Sequence, residues 1–337
     1  MNRALRNLCI AAAGLTLLAA CGGGGSDDGG GLTGGVPIPA SEPATITVEN
    51  APLIAGTVAE VAMGQGVFSS IFTTDLPIAS IGGDVAVTPV MKPVLSAAMK
   101  TANPSQLYAT SSALEDCAVT GTVDVQVTVE NPLEPSINDR FVFEFTNCDD
   151  GTGVVVDGGM TITIINLGGD PATDSFLLGM SIEFSDFAVT EGGETTSASG
   201  AITITVDSLT PPVTTITIST SAFVTTSEGT EEVLTNFTVE ITEDASMFPV
   251  AVTVETSFTI SSPRIGGEVT VTTSLALESM GEEYPFVGEL RIEGAGNSVI
   301  VMIALDADTV RLQIDINGDG FDETIDMTWD ELMAAAA

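Results

Sequence analysis

Apolar and polar residues alternate with a period of two through most of this chain. Val250, Val252, Val254, Phe258 and Ile260 interleave with Ala251, Thr253, Glu255, Ser257 and Thr259, and Ile202, Ile204 and Val206 do so with Ala201, Thr203 and Thr205. β-Branched apolar residues alternating with threonine make strands with one buried face. From Val119 onward there are about twelve or thirteen such runs, separated by Gly, Pro, Asp and Glu clusters at hairpin spacing. No helix-length pattern separates them, which excludes βαβ units. The expected fold is mainly β: a long antiparallel meander, as a curved sheet, sandwich or half-barrel. The segments "VVVDGGMTITI", "SASGAITITVD" and "RIGGEVTVTTS" look alike, and "FSDFAVTEGG" echoes "LTNFTVEITED". Their spacing is irregular, which points to shared hairpin chemistry rather than a solenoid.

The period differs before residue 116. Asn50 as N-cap, Pro52 in the first turn, and Leu53, Ile54, Val58, Val61 and Ala62 at helical spacing predict a helix, which Gly64 and Gly66 weaken. "TPVMKPVLSAAMKTA", residues 88–102, predicts a second short helix carrying both lysines of the chain. The expected organisation is a leader over 1–20, a tether over 21–45, a helical segment over 46–115 and the β domain over 116–337.

Arg3 and Arg6 precede an apolar run from Leu8 to Ala20. That is the layout of a secretory signal, and the run is too short to span a bilayer. Its end, Leu18-Ala19-Ala20-Cys21, resembles the lipobox of bacterial lipoproteins. The resemblance implies cleavage before Cys21, acylation of that residue with fatty acids such as palmitate, and a location in the cell envelope. Gly22 rather than Asp after the cysteine implies the outer membrane by the family's sorting rule. The stretch from Gly288 to Leu332 resembles the ends of uncharacterised acidic proteobacterial lipoproteins, and that resemblance implies no activity. Glycines at 22–25, 29–31, 34 and 35 make a flexible coil with an r.m.s. reach of about 25–30 Å.

Removing Arg3 and Arg6 with the leader changes the balance from 8 basic against 46 acidic residues to 6 against 46, or −40. Such a chain repels nucleic acid and anionic lipid; the charge either favours cationic partners or divalent metal, or simply keeps the protein soluble in a salty medium. Histidine is absent, which removes the commonest general base and zinc ligand. With Cys9 in the leader and Cys21 acylated, Cys117 and Cys148 remain. An even pair in an oxidising compartment predicts a disulfide.

"VRLQIDINGDGFDETIDMTW" contains Asp315, Asn317, Asp319 and Gly320 in the D-x-N-x-D-G pattern of calcium loops. Side-chain oxygens at positions 1, 3 and 5, a carbonyl at 7 and an oxygen near 9 or 12 nominate Asp315, Asn317, Asp319, the Phe321 carbonyl, and Glu323 or Asp326. An EF-hand requires flanking helices and a glutamate at position 12. Here strands flank the loop, so it resembles calcium loops of β-propellers and other extracellular repeats. Val310, Leu312, Ile314 and Ile316 on one side, and Phe321, Ile325, Met327 and Trp329 on the other, also read as two strands closed by a plain four-residue "NGDG" hairpin loop.

No G-x-S-x-G elbow, P-loop or dinucleotide fingerprint occurs. One Trp and two Tyr are too few for carbohydrate platforms or for the aromatic girdles of a membrane barrel. The expectation is a non-enzymatic protein with no certain cofactor beyond candidate calcium. It is expected to meet the membrane through its anchor, and either an unidentified protein or a hydrophobic ligand held in a curved β-sheet cavity.

Overall fold

The computed structural model of the protein describes residues 41–63, 109–117, 119–130, 135–149, 154–170, 175–227, 229–281 and 284–336. Helix α1 (Ala51–Ala62) precedes fourteen strands: β1 (Ala109–Asp116), β2 (Thr120–Val129), β3 (Arg140–Asp149), β4 (Val154–Asp170), β5 (Ser175–Glu191), β6 (Glu194–Thr210), β7 (Val213–Ser227), β8 (Thr230–Asp244), β9 (Ala251–Ser262), β10 (Gly267–Ser279), β11 (Val287–Glu293), β12 (Val299–Ala304), β13 (Thr309–Asp315) and β14 (Glu323–Thr328). Helix α2 (Trp329–Ala336) ends the chain. Each strand pairs with the next in sequence, so the fourteen form one antiparallel meander, open at β1 and β14. The expected fold class is thus the observed one. Alternation is plain in β9, where Val252, Val254, Thr256, Phe258 and Ile260 are buried and the residues between them are more exposed.

Sheets of more than about ten strands curl or split unless something flattens them. Here a repeated device bends the long strands. Phe145-Thr146-Asn147-Cys148 in β3, Phe184-Ser185-Asp186-Phe187 in β5 and Leu234-Thr235-Asn236-Phe237 in β8 share one pattern, and their central residues sit at φ +45°, +48° and +50°. The ladders slip at each of these places. Asn and Asp tolerate this left-handed conformation, and a bulge there lets both flanking apolar residues face inward. Phe145, Cys148, Phe184, Phe187, Leu234 and Phe237 are all buried. The echo between "FSDF" and "LTNF" is therefore bulge chemistry.

Glycines on neighbouring strands complete the bend. A side-chain carbon at Gly158 would strike the Asp186 carbonyl, and one at Gly121 the Asn147 carbonyl. Because β4 has no side chain at Gly158 and Gly159, Phe145 reaches Phe187 across it, with ring centroids 6.2 Å apart. Phe184 meets Phe223 at 5.7 Å across Gly200 of β6 in the same way. Each such pair adds about 0.5–1.5 kcal/mol beyond its buried area.

α1 is apolar nearly all round and correspondingly buried. Its start differs from expectation, because Asn50 makes no side-chain cap to α1. Its Oδ1 accepts from Thr47 N–H at 2.8 Å, while Asn50 N–H donates to Thr47 Oγ1 at 3.3 Å. The reciprocal box thus begins one turn earlier, at Thr47. A side chain at Gly56 would meet the Leu332 carbonyl at 2.5 Å, so this glycine sets the close crossing of α1 and α2. Glu60 is the only ionisable side chain on α1. Burial pushes its carboxyl up; Arg264 opposes this and Glu232 adds to it. A raised folded-state value means stability fully present below about pH 4.5 and lost as pH rises. Glu60→Gln is expected to raise Tm at pH 7 and leave it unchanged at pH 4, which melts across that range will check.

Two further corrections concern element ends. β1 occupies residues expected to belong to the helical segment; Ala-Thr-Ser-Ser alternates too weakly to announce a strand. Trp329, expected to extend a strand, instead opens α2. Thr328 Oγ1 accepts from Glu331 N–H at 3.1 Å and Glu331 Oε2 accepts from Thr328 N–H at 2.9 Å, a capping box that stops β14. Trp329 is buried and stacks on Tyr284 with centroids 5.6 Å apart. The helix expected over 88–102, the leader and Cys21 lie outside the described residues.

Candidate functional site: the C-terminal hairpin and the apolar face

β13 and β14 pair in register from Thr309↔Thr328 to Ile314↔Glu323. The connection spans residues 316–322, longer than the four-residue loop the sequence suggested. Asp315 organises it. Its Oδ1 accepts from Gly318 N–H at 2.7 Å and Asn317 N–H at 3.2 Å, and its Oδ2 accepts from Gly320 N–H at 3.2 Å. Asn317 Oδ1 accepts from Asp319 N–H at 3.0 Å, and Asp322 Oδ2 from Ile316 N–H at 2.9 Å. Desolvation pushes the Asp315 carboxyl up, but the backbone N–H groups of Gly318, Asn317, Gly320 and Asp319 outweigh it and hold it below the usual carboxylate range. Gly318 at φ +82° and Gly320 at φ +133° supply the left-handed turns.

The nominated calcium ligands are only partly gathered. Asp315, Asn317 and Asp319 belong to one loop with Phe321, and Glu323 begins the strand beside it. Asp326 is not brought there. It faces Arg311 across the ladder and takes a bidentate ion pair, Nε to Oδ1 at 2.6 Å and Nη2 to Oδ2 at 2.8 Å. Three ladder steps separate this pair from the mouth of the loop, about 10 Å. The same hydrogen bonds from Arg311 lower the Asp326 carboxyl. Among the described residues no three Cys, Asp or Glu side chains converge as a metal-binding group. The hairpin's own N–H groups neutralise much of what a cation would neutralise.

Cys117 and Cys148 form the expected disulfide, with Cα atoms 5.4 Å apart. Cys148 follows the Asn147 bulge, and Cys117 N–H donates to the Gly121 carbonyl at 3.0 Å. The bond therefore ties the first hairpin turn to the first bend.

The second feature is the buried face itself. The principal contacts of α1 are with α2, β12, β13 and the turn at Pro263–Ile265, and those of α2 with α1, β13 and β14. Opposite those helices, Leu290, Ile292, Ile300, Leu312 and Ile314 are wholly buried. Along β3 to β7 the inward residues include Phe143, Phe145, Met160, Met180, Phe184, Phe187 and Phe223 among β-branched aliphatics, away from the helices' main contacts. Sequence reasoning identified the alternation, but not this concentration of rings. The signal for it was an apolar pair at i and i+3 around Ser/Thr-Asn/Asp, with glycine on the neighbouring strand.

No described helix is long and apolar enough to cross a membrane. Compared with known protein families, with curated proteins and with solved structures, the chain finds no match.

Proposed function

We propose that this chain is a lipid-anchored protein of the bacterial cell envelope, held by Cys21 at the outer membrane, whose meander serves as a non-enzymatic scaffold or surface-interaction module. The observation that carries this reading is the one-sided sheet. One face is committed to the core, and the other offers threonine, serine and glutamate along strands such as β8 and β10. Calcium at Asp315, Asn317 and Asp319, with the Phe321 carbonyl and Glu323, would stiffen the last hairpin. Asp326 has no part in that site, because its oxygens serve Arg311.

A second reading is a carrier for a hydrophobic ligand, favoured by the Phe and Met side chains lining β3 to β7 away from the helices. Scaffold and carrier differ in whether that face is filled to native density or leaves room for a guest. Native mass spectrometry of residues 22–337, secreted to a periplasm, separates them. A lipid-sized adduct establishes the carrier. A bare or calcium-bearing mass, the latter lost to a chelator, leaves the scaffold. Free lipid washing off without any bound stoichiometry counts against the carrier.

A further inference from the structure

In an antiparallel meander every second connection lies at the same end. The β6–β7 turn at Pro211-Pro212 and the β8–β9 connection at Ala245–Val250 therefore share one rim with those of β4–β5 and β10–β11. These connections touch one another. Ala245 N–H donates to the Pro212 carbonyl at 3.0 Å, Ser175 Oγ donates to the Leu209 carbonyl at 3.4 Å, and a side-chain carbon at Gly281 would meet Pro249 Cβ at 3.0 Å.

On the β6–β7 and β8–β9 connections most exposed residues are apolar, with Thr210 and Ser246 the exposed polar residues among them. Phe248 is 100% exposed, Met247 45% and Leu209 44%, and Pro211, Pro212 and Pro249 are exposed beside them. Residues 208–213 and 245–250 carry no charge, in a chain where 46 of 337 residues are acidic. Two acids that flank the tips in sequence serve the turns: Asp207 accepts from Leu209 N–H and Asp244 from Ser246 N–H, each at 2.9 Å.

We propose that these two tips, Leu209–Pro212 and Met247–Pro249, form a wedge that inserts into an uncharged, zwitterionic lipid surface. Two properties choose this occupant. The first is size. A stable protein interface takes about 800 Å² from each partner, some 20–30 residues a side, whereas the wedge is two short tips with one aromatic side chain, Phe248, worth roughly 150–250 Å². That is small for a second copy of the chain and ample for interfacial insertion, which needs only a few apolar side chains below the headgroups. The second is charge. The tips are neutral and the surrounding protein strongly acidic, so an anionic surface is repelled while zwitterionic headgroups are not. The inference is independent of whether the concave face carries a ligand.

The test uses Phe248→Trp in the full-length protein, purified as the cell makes it and mixed with or reconstituted into phosphatidylcholine vesicles. Trp329 is buried, and the parent protein supplies its background. Brominated phosphatidylcholine, placed in the same vesicles or in an added population, is expected to quench the introduced indole and shift its emission to the blue. Adding Met247→Ser and Leu209→Ser should reduce that quenching at least tenfold with the far-UV spectrum unchanged. Emission that stays red and unquenched overturns the proposal. So does a blue shift that bromine does not quench, which would put the rim against another protein chain. Equal quenching by brominated phosphatidylglycerol at low salt would overturn the assignment to an uncharged surface.

Discussion

Gly158→Val is expected to destabilise the protein by about 4 kcal/mol. The φ of +89° is strained for a β-branched residue, which alone costs about 1–3 kcal/mol. The new Cβ would also strike the Asp186 carbonyl, with Phe187 Cα only 2.8 Å away. Backbone on the next strand cannot yield as a flexible side chain does, so relief must come from opening the β4–β5 ladder at its bend. Losing the Phe145–Phe187 contact adds to the cost. Gly192→Asn is the control. It has φ +62° and nothing within 4 Å of its Cβ position, and asparagine tolerates that conformation, so little change is expected. Denaturant melts of both variants check the pair; equal losses would mean that the bend does not depend on the missing side chain.

Cys117→Ser with Cys148→Ser is expected to lower stability by about 3–4 kcal/mol, the chain-entropy value for a loop of this size, the two residues being 31 apart. Both are buried, so serine also leaves two hydroxyls where sulfur packed. The effect should concentrate in β1 to β3. Amide exchange is expected to speed up at Val123, Val125 and Val127 more than at Ile300 or Leu312, which lie in the region packed by α1 and α2. Uniform acceleration would mean that the sheet unfolds as one unit and that the disulfide acts only on the denatured chain.

Both predictions concern bends, and bends were the part of this fold that alternation hides. Strands such as β6 and β9 were legible because threonine between two β-branched residues fixes the face of each. A bulge breaks that rhythm by placing two inward residues three apart, as Phe184 and Phe187 are, and a period-two reading passes over it. β1 escaped because its small polar residues have no face to declare. α2 escaped although Thr328 and Glu331 spell a capping box, since Trp329 continued the strand's parity equally well. Asp326 is not gathered with the other nominated residues for a related reason. Loop spacing nominates Asp326 from its distance along the chain, but the hairpin's register decides where it goes, and that register puts it opposite Arg311. A ligand pattern within a turn can be read from sequence; one that runs on into a ladder needs the ladder.

Pro43 bridges to Glu268 at the start of β10, and Ala44 N–H donates to the Glu268 carbonyl at 2.8 Å. The chain therefore leaves the folded body beside the β9–β10 turn, at the end opposite Phe248. About twelve residues of strand lie between the two ends, or roughly 40 Å. Under the proposed anchoring at Cys21, the folded body would have polarity built into it, like a post with its foot in one layer and its cap held clear. Standing upright, it would hold a fixed gap open. The length of β8 to β10 would then act as a ruler, and inserting two residues in each strand should lengthen the reach without altering either end.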